Sequence, residues 1–193
     1  MANDTSSLVM GTIYYDINFR KIVYKIKFPQ AETWVISDTS VYRFVDSKQV
    51  SRVKTMSLPE FSIFHLALNG KLDHYGLDRD NPLFKMGGVE RSGDMVLTTW
   101  MPDEKIKKVL GKVVMSNNNS QLSGIVFFAP DGKIAAKQFF QDYILVSGCE
   151  VPSKITKITY TKENEENYEI TTFRNIFINN SDEVNMYNYN ISP

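Results

Sequence analysis

Few side chains in this chain are of the types that carry out catalysis or hold a metal. The chain has one cysteine, Cys149, and two histidines, His65 and His74. A single cysteine excludes an internal disulfide and a cysteine-based zinc site. Neither histidine has a neighbouring Ser or Cys motif that would make it the base of a nucleophilic pair. A packed or solvated histidine is the simpler interpretation of both.

Two other groups could carry chemistry. Glu90 and Asp94 flank the Ser92-Gly93 turn, and paired carboxylates can serve hydrolysis as acid and base. Solvation of the turn is the simpler explanation of both carboxylates. Gly87-Gly88 lacks the third glycine and the following helix of a phosphate-binding loop. We therefore expect no enzymatic activity, no bound metal and no cofactor.

The composition is that of an ordinary folded domain. The 193 residues are 42% hydrophobic, and 22 Lys and Arg balance 22 Asp and Glu. A chain of this size can bury a core without disulfides or metals, so we expect a single domain over residues 1–193. Without a net basic charge, nucleic acid is not an expected partner. There is no apolar run of about 18 residues that would cross a membrane.

Most of the chain alternates with period two, starting at Met10. In one run, Ile22, Tyr24, Ile26 and Phe28 alternate with positions that include Lys25 and Lys27, which is typical of a half-buried strand. Turn signals such as Pro130-Asp131-Gly132 separate the runs and predict antiparallel neighbours. The predicted strands cover residues 22–28, 33–37, 41–45, 50–56, 83–89, 94–101, 109–116, 121–128, 134–146, 154–161 and 168–178.

One segment interrupts the alternation. Ser57 is a candidate helix cap, apolar residues follow at helical spacing, and Asn69-Gly70 ends the pattern. The pattern predicts a helix over residues 59–68, followed by a short turn over 73–77. A meander of about a dozen strands must curl, close or split to bury its apolar face, and the helix is the natural cover.

Several stretches, in this order, resemble the periplasmic carriers of outer-membrane lipoproteins, LolA and its relatives. They are "GTIY" from Gly11, "KFPQAE" from Lys27, "WVISD" from Trp34, "TTWMP" from Thr98 and "FFAPDGK" from Phe127. Together they extend over most of the chain.

The resemblance implies a mainly β fold in which an open, strongly curved antiparallel sheet, a half-barrel, has its concave face covered by helices. It implies a periplasmic protein, released from a signal peptide, that holds lipoprotein acyl chains or another lipid for transfer to the outer membrane. Its partners would be an inner-membrane donor and an outer-membrane acceptor, and the protein would be a monomer. Thr39 and Ile17-Asn18 depart from the family's glycine and Arg-Pro. No helix precedes the first strands, so we expect a shortened or differently covered relative.

The large apolar members of the alternation are the candidate lipid-binding residues, because the opposite positions carry charges such as Lys25 and Lys27. On the strands they are Tyr15, Ile26, Phe28, Trp34, Ile36, Leu97, Ile125 and Phe127. On the predicted helix they are Phe61, Phe64 and Leu68, which would fill the cavity when no lipid is bound. The alternative for the helix residues is that they are permanent core.

Two other functions remain open at this point. The same half-barrel could serve as an envelope sensor or interaction module that binds partners without shuttling a lipid. An esterase-like enzyme ranks last, because no nucleophile motif is present.

Overall fold

The computed structural model describes residues 6–16, 18, 21–37, 40–54, 63–161, 163, 165–187 and 189. These residues form two compact units. The first contains the residues up to His65 and those from Asn179 onward, and the second runs from Leu66 to Ile178. Each unit contains one antiparallel sheet.

The first sheet has five strands that pair in chain order. They are β1 (Met10–Asp16), β2 (Lys21–Phe28), β3 (Glu32–Ser37), β4 (Ser40–Val45) and β5 (Lys48–Lys54). Every connection joins neighbouring antiparallel strands, as expected for period-two runs separated by short turns. A 3₁₀ helix, Ser181–Tyr187, belongs to the same unit.

The second sheet has seven strands, again in chain order. They are β6 (Phe84–Ser92), β7 (Met95–Pro102), β8 (Val113–Asn118), β9 (Gln121–Phe128), β10 (Ile134–Val146), β11 (Cys149–Tyr160) and β12 (Glu166–Thr172). A short helix, α1 (Ile63–Leu68), precedes it. In the described part of the chain, the first and last strands of each sheet do not pair with each other.

The prediction of a mainly β, antiparallel fold with one short helix is confirmed. Several strand boundaries were wrong; the strand expected from residue 154, for example, begins at Cys149. The strand expected from residue 109 begins at Val113, because backbone bonds to Ile106 from Val109 and Leu110 form a turn instead. The strand expected to reach residue 178 ends at Thr172. The described helix begins at Ile63, and residues 59–62 of the predicted helix lie outside the described residues.

The core of the first unit lies on the face of its sheet that carries Val23, here called the Val23 face. Val23 pairs with Val35, and Val35 pairs with Tyr42, so that the three side chains share one face. Val23 and Val35 are fully buried, and Tyr42 and Phe44 are 7% and 5% exposed. The prediction that this side of β2 is polar and solvated was therefore wrong at its centre.

The C-terminal segment covers the Val23 face. Tyr187 and Tyr189 pack on the buried cluster, and the ring centroids of Tyr189 and Phe44 are 5.3 Å apart. Lys21 donates to the Tyr187 carbonyl oxygen at 3.2 Å, and Lys25 lies 2.8 Å from Met186 Sδ. Lys25 was expected to face water, but the ammonium groups of both lysines bind the cover, along which their long stems can lie.

The core of the second unit lies on the sheet face that carries Ile125, here called the Ile125 face. The residues on it that are at most 4% exposed are Trp100, Val113, Met115, Ile125 and Phe140. Leu72 and Leu77 are buried at the two ends of the predicted turn after α1. The ring of Tyr75, which lies between them in the chain, contacts the rings of Phe127 and Phe140, with centroids 6.1 Å apart in each pair. The turn thus covers this face, and the aromatic contacts hold it there.

Two tyrosine hydroxyls are bonded within the second unit. Tyr75 donates to Gln138 Oε1 at 3.2 Å, and Tyr143 donates to the Leu122 carbonyl oxygen at 2.7 Å. Burial raises the pKa of Tyr75 above the ordinary value. Burial, and then the nearby Glu150 carboxylate, raise the pKa of Tyr143 well above the ordinary value. The folded chain therefore holds both protons in a pH range where an unfolded tyrosine loses its proton.

We expect replacement of Tyr187 with Ala to lower the free energy of unfolding by about 2–3 kcal/mol, because the variant loses ring packing on the Val23 face. It also loses the 3.1 Å hydrogen bond that the Tyr187 hydroxyl donates to the Tyr15 carbonyl oxygen. Urea denaturation measures the change. Phe177→Ala is the control, because Phe177 is 75% exposed and its loss should change stability little. Equal effects of the two substitutions would contradict the assignment of the C-terminal segment as a cover.

We expect the chain to lose stability in alkali. The raised pKa values of Tyr75 and Tyr143 contribute stability below the unfolded pKa of 10.0, and that contribution falls as the pH rises above it. Urea denaturation at about pH 8 and about pH 11 measures the slope. Tyr143→Phe should be less stable than the wild type by about 1 kcal/mol at the lower pH, because the Leu122 carbonyl oxygen loses its hydrogen-bond donor. On going to the higher pH, the variant should lose less stability than the wild type does. An unchanged pH slope in Tyr143→Phe would exclude this residue as a source of the effect.

Candidate functional site

The other face of the first sheet, which carries Tyr15 and is here called the Tyr15 face, is also apolar. Tyr15 pairs with Ile22 and Ile22 with Ile36, and Trp34 lies opposite Tyr24 on the same face. Ile26 and Phe28 follow on β2 with the same period-two spacing. Thus the five residues predicted on these strands, which are Tyr15, Ile26, Phe28, Trp34 and Ile36, share one face of one sheet.

Exposure varies along the Tyr15 face. Ile22 is 3% exposed, whereas Trp34 is 39%, Phe28 is 49% and Val53 is 60% exposed. Large apolar side chains of a folded domain are normally buried, and a contiguous group that is partly exposed marks a surface for a partner or a ligand. The Tyr15 face therefore has a closed part around Ile22 and an accessible part that includes Trp34 and Phe28.

The start of α1 lies against the closed part. The ring of Phe64 stacks on that of Tyr15, with centroids 6.2 Å apart and planes 25° apart. His65 Nδ1 lies 2.7 Å from the Tyr15 hydroxyl oxygen, within hydrogen-bonding distance. Phe64, predicted to cover the apolar face, thus contacts a predicted residue of that face. The partner of His65 in this contact is a phenol, so the geometry is that of a packing histidine rather than of a nucleophile–base pair.

Charges border the accessible part. Arg43 pairs with Trp34 across the strands, and Glu32 pairs with Ile26, so both charged side chains lie on the Tyr15 face. Arg43 Nε forms an ion pair with a Glu32 carboxylate oxygen. Apolar surface and a polar pair at its border are what an amphipathic ligand requires, with its hydrocarbon on the rings and its polar end near the charges.

The second sheet brings together two of its three predicted residues. Ile125, fully buried, pairs with Met115, and Phe127 lies on the same face in contact with Tyr75. Leu97 was assigned to this face, and that assignment is wrong. Leu97 pairs with Ser116, the neighbour of Met115 on β8, so it lies on the opposite face. Alternation could not decide between Val96 and Leu97, because both are apolar.

The other predicted helix residues fall into two groups. Leu68, at the end of α1, is 37% exposed. With Ala67, it lines a cleft of about 360 Å³ in the second unit. Phe61 lies outside the described residues.

The cleft was not predicted from the sequence. Its lining combines apolar Leu68, Leu72, Leu122 and Tyr143 with polar groups, among them Gln121, whose Nε2 donates to Glu150 Oε1 at 3.2 Å. The residues come from α1, the following turn, β9 and the end of the β10–β11 hairpin, which no local pattern could bring together.

The structure also shows apolar residues that the alternation did not single out. Trp100 is 3% exposed and lies on the Ile125 face, opposite Val113. The available signal was its place in the "TTWMP" stretch, two residues after Thr98, which puts both side chains on the same face of the strand. Tyr75 could not have been found in this way, because it lies in a turn with a left-handed backbone φ of 52°.

Within the described ranges, no three His, Cys, Asp or Glu residues come close enough together to hold a metal ion. The second histidine, His74, has its Nε2 3.7 Å from Asp73 Oδ1, and its buried Nδ1 has no hydrogen-bond partner among the described atoms. No described helix has the length and hydropathy needed to span a bilayer.

No protein-family model and no curated protein matches the sequence. Several solved structures are similar, among them the following three. An outer membrane lipoprotein-sorting protein domain from Vibrio parahaemolyticus is 12% identical, with a TM-score of 0.53 and coverage of 91% of this chain and 79% of that one. A LolA superfamily protein from Nitrosomonas europaea is 14% identical, with a TM-score of 0.46 and coverage of 82% and 74%. A DUF1329 family protein from Desulfovibrio piger is 11% identical, with a TM-score of 0.38 and coverage of 84% and 67%.

At 12% identity, the likeness to the Vibrio domain concerns the fold. It agrees with the fold implied by the sequence resemblance to LolA and its relatives, which is thereby confirmed at the level of the fold. This chain therefore has a fold similar to that of the Vibrio domain.

Proposed function

We propose that this protein binds acyl chains of lipoproteins or of another lipid on the Tyr15 face and carries them through the periplasm to the outer membrane. One observation carries the proposal: the Tyr15 face is mostly apolar, but its Trp34 and Phe28 side chains are 39% and 49% exposed. The fold shared with the Vibrio lipoprotein-sorting domain supports the same conclusion. No catalytic step is part of this function.

The energetics of such binding require a competitor. Burial of an acyl chain contributes about 0.8 kcal/mol per methylene, so a long chain held by the apolar face would dissociate very slowly. Phe64 stacks on Tyr15 at the closed part of that face. A lipid that extends from the accessible part toward Tyr15 displaces Phe64, and the return of Phe64 favours release. The lipid would then displace Phe64 from Tyr15 when it is loaded from an inner-membrane donor, and Phe64 would displace the lipid when it is unloaded to an outer-membrane acceptor.

A second function, a non-shuttling sensor or interaction module on the same fold, has one observation in its favour. The edge strand β12 exposes Tyr168 and Ile170 at 61% and 63%. An exposed apolar edge strand is a surface on which another protein can pair. Such a module would bind its partner without a lipid, so the two functions differ in whether an acyl chain is taken up.

The two tryptophans of this chain allow a direct test of where an acyl chain binds. Trp34 lies partly exposed on the Tyr15 face, and Trp100 is buried on the Ile125 face. A fatty acid that carries bromine on its acyl chain quenches a tryptophan that it touches. In Trp100→Phe, where only Trp34 emits, we expect strong, saturable quenching. In Trp34→Phe, where only Trp100 emits, we expect little quenching.

The opposite result, with Trp100 quenched and Trp34 unchanged, would move the acyl chain to the Ile125 face. Quenching of neither tryptophan in folded protein would contradict the carrier function. Circular dichroism of both variants confirms that each remains folded before the probe is added.

We expect Phe64→Asp to bind the same acyl probe roughly tenfold more tightly, because a charge next to Tyr15 disfavours the closed state. The free energy of unfolding should fall only moderately, because the sheet keeps its hydrogen bonds. Phe177→Asp is the control, with a charge placed on a side chain that is 75% exposed. If Phe64 is permanent core, the variant instead loses several kcal/mol of stability, and probe affinity in the folded fraction is unchanged.

A further inference from the structure

The connection between β7 and β8 contains a concentration of charge that the neutral net charge of the chain conceals. Its sequence is DEKIKKVLGK, residues 103–112, with four lysines and two acidic residues. Two aliphatic side chains stand among the lysines: Val109 is 74% exposed and Leu110 is 45% exposed. We name this segment the Val109 tip. Val109 is exposed to nearly the same degree as Phe177, at 75%.

The Val109 tip is a hydrogen-bonded structure rather than a loose loop. Asp103 Oδ1 accepts from Lys105 N at 3.1 Å, and the Asp103 carbonyl oxygen accepts from Ile106 N at 2.9 Å. The Ile106 carbonyl oxygen in turn accepts from Val109 N at 2.8 Å and from Leu110 N at 2.9 Å. The tip therefore presents its two aliphatic side chains in a set position, at little further entropic cost on binding.

The end of the tip is fixed to the β9–β10 hairpin. Gly111 N donates to the Phe128 carbonyl oxygen at 3.0 Å. A Cβ atom at Gly111 would lie 2.3 Å from the Ala129 carbonyl oxygen, so only glycine allows this approach. Lys112 Nζ lies 4.8 Å from the centroid of the Phe128 ring. These contacts anchor the end of the tip to the hairpin.

Two of the four lysines of the tip are available to a partner. Lys107 pairs with Glu104 within the tip. Lys105 and Lys108 are exposed and make no ion pair within the described part of the chain. Exposed aliphatic side chains surrounded by unpaired lysines are unfavourable in water, but they match a surface with acidic groups outside and hydrocarbon beneath.

We propose that the Val109 tip docks the protein on an anionic lipid bilayer. Val109 and Leu110 enter the boundary between headgroups and acyl chains, and the flanking lysines bind acidic headgroups. A protein partner fits less well, because a stable protein–protein contact needs roughly 800 Å² per partner, and two aliphatic side chains on a narrow tip offer far less. The docking does not depend on the Tyr15 face, so it can hold whether or not that face binds acyl chains.

Vesicle co-sedimentation tests the proposal. The wild-type chain is mixed with vesicles of phosphatidylcholine alone and with mixed vesicles of phosphatidylcholine and phosphatidylglycerol. We expect binding to the mixed vesicles that weakens as salt is added, and at least about tenfold weaker binding to phosphatidylcholine alone. Val109→Asp and the triple variant K105Q/K107Q/K108Q should each bind the mixed vesicles at least about tenfold more weakly than the wild type.

Leu145→Asp is the matched control, because Leu145 is 72% exposed at the end of β10, and the turn after it contains no lysine. It should bind the mixed vesicles as the wild type does. The proposal fails if the wild type binds neither vesicle, if Val109→Asp binds normally, or if Leu145→Asp loses binding to the same extent. Binding to soluble polyglutamate as tight as that to the mixed vesicles would assign the lysines to an acidic protein and would also overturn it. Bromine quenching of Trp34 that persists in Val109→Asp would show that the acyl-chain site is intact, so the two functions can fail separately.

Discussion

The five-stranded sheet has two apolar faces, and other parts of the chain must cover both to keep them from water. Val23 and Val35 on one face are fully buried beneath the tyrosines of the C-terminal segment. On the other face, Ile22 is buried, but Trp34 and Phe28 remain 39% and 49% exposed. Exposed aromatic surface is unfavourable in water, so its presence in a folded chain is best explained by a ligand that covers it. The proposed carrier function depends on this asymmetry.

The seven-stranded sheet is built differently. The turn after α1 covers its Ile125 face, and Tyr75 holds that turn by contacts to Phe127 and Phe140 and a hydrogen bond to Gln138. Ile125 is fully buried as a result. Two faces that looked alike in the sequence thus differ: the Ile125 face is packed by its own unit, whereas part of the Tyr15 face is accessible. For this reason we assign the acyl chain to the Tyr15 face and treat Ile125 and Phe127 as core.

Much of the fold could be predicted because period-two alternation and turn residues act locally. The ends of β9 and β10 were predicted to the residue, and the antiparallel order followed from short connections. The Val23 face could not be predicted in the same way. Lys25 and Lys27 suggested water on that side of β2, but the residues that cover it, Tyr187 and Tyr189, lie far away in the chain. Only tertiary structure shows which face of a sheet is covered by a distant part of the chain.

The candidate site, too, could be predicted only where local patterns decide the position of a side chain. Five predicted residues on the first three strands share the Tyr15 face, because one register of neighbouring strands relates them all. Leu97 was misassigned where both alternating positions are apolar, and the cleft lined by Leu68 and Tyr143 combines segments with no local relation. The Val109 tip was taken for the start of a strand, since Val109 and Leu110 are common strand residues, whereas the bonds to Asp103 and Ile106 form a turn. Local patterns thus predicted most strands and most of the residues that share a face. They did not predict the contacts between distant segments, nor the turn that replaces a strand at the Val109 tip.

The central claim is that the Tyr15 face holds an acyl chain, and native mass spectrometry of the protein purified from its host without detergent tests it most directly. The account predicts a population whose mass exceeds that of the chain by one lipid or lipidated peptide. That population should disappear when Ile36, on the same face, is replaced with Asp in a variant that remains folded. Folded wild-type protein that carries no lipid, and that takes none up from added phospholipid, would contradict the account.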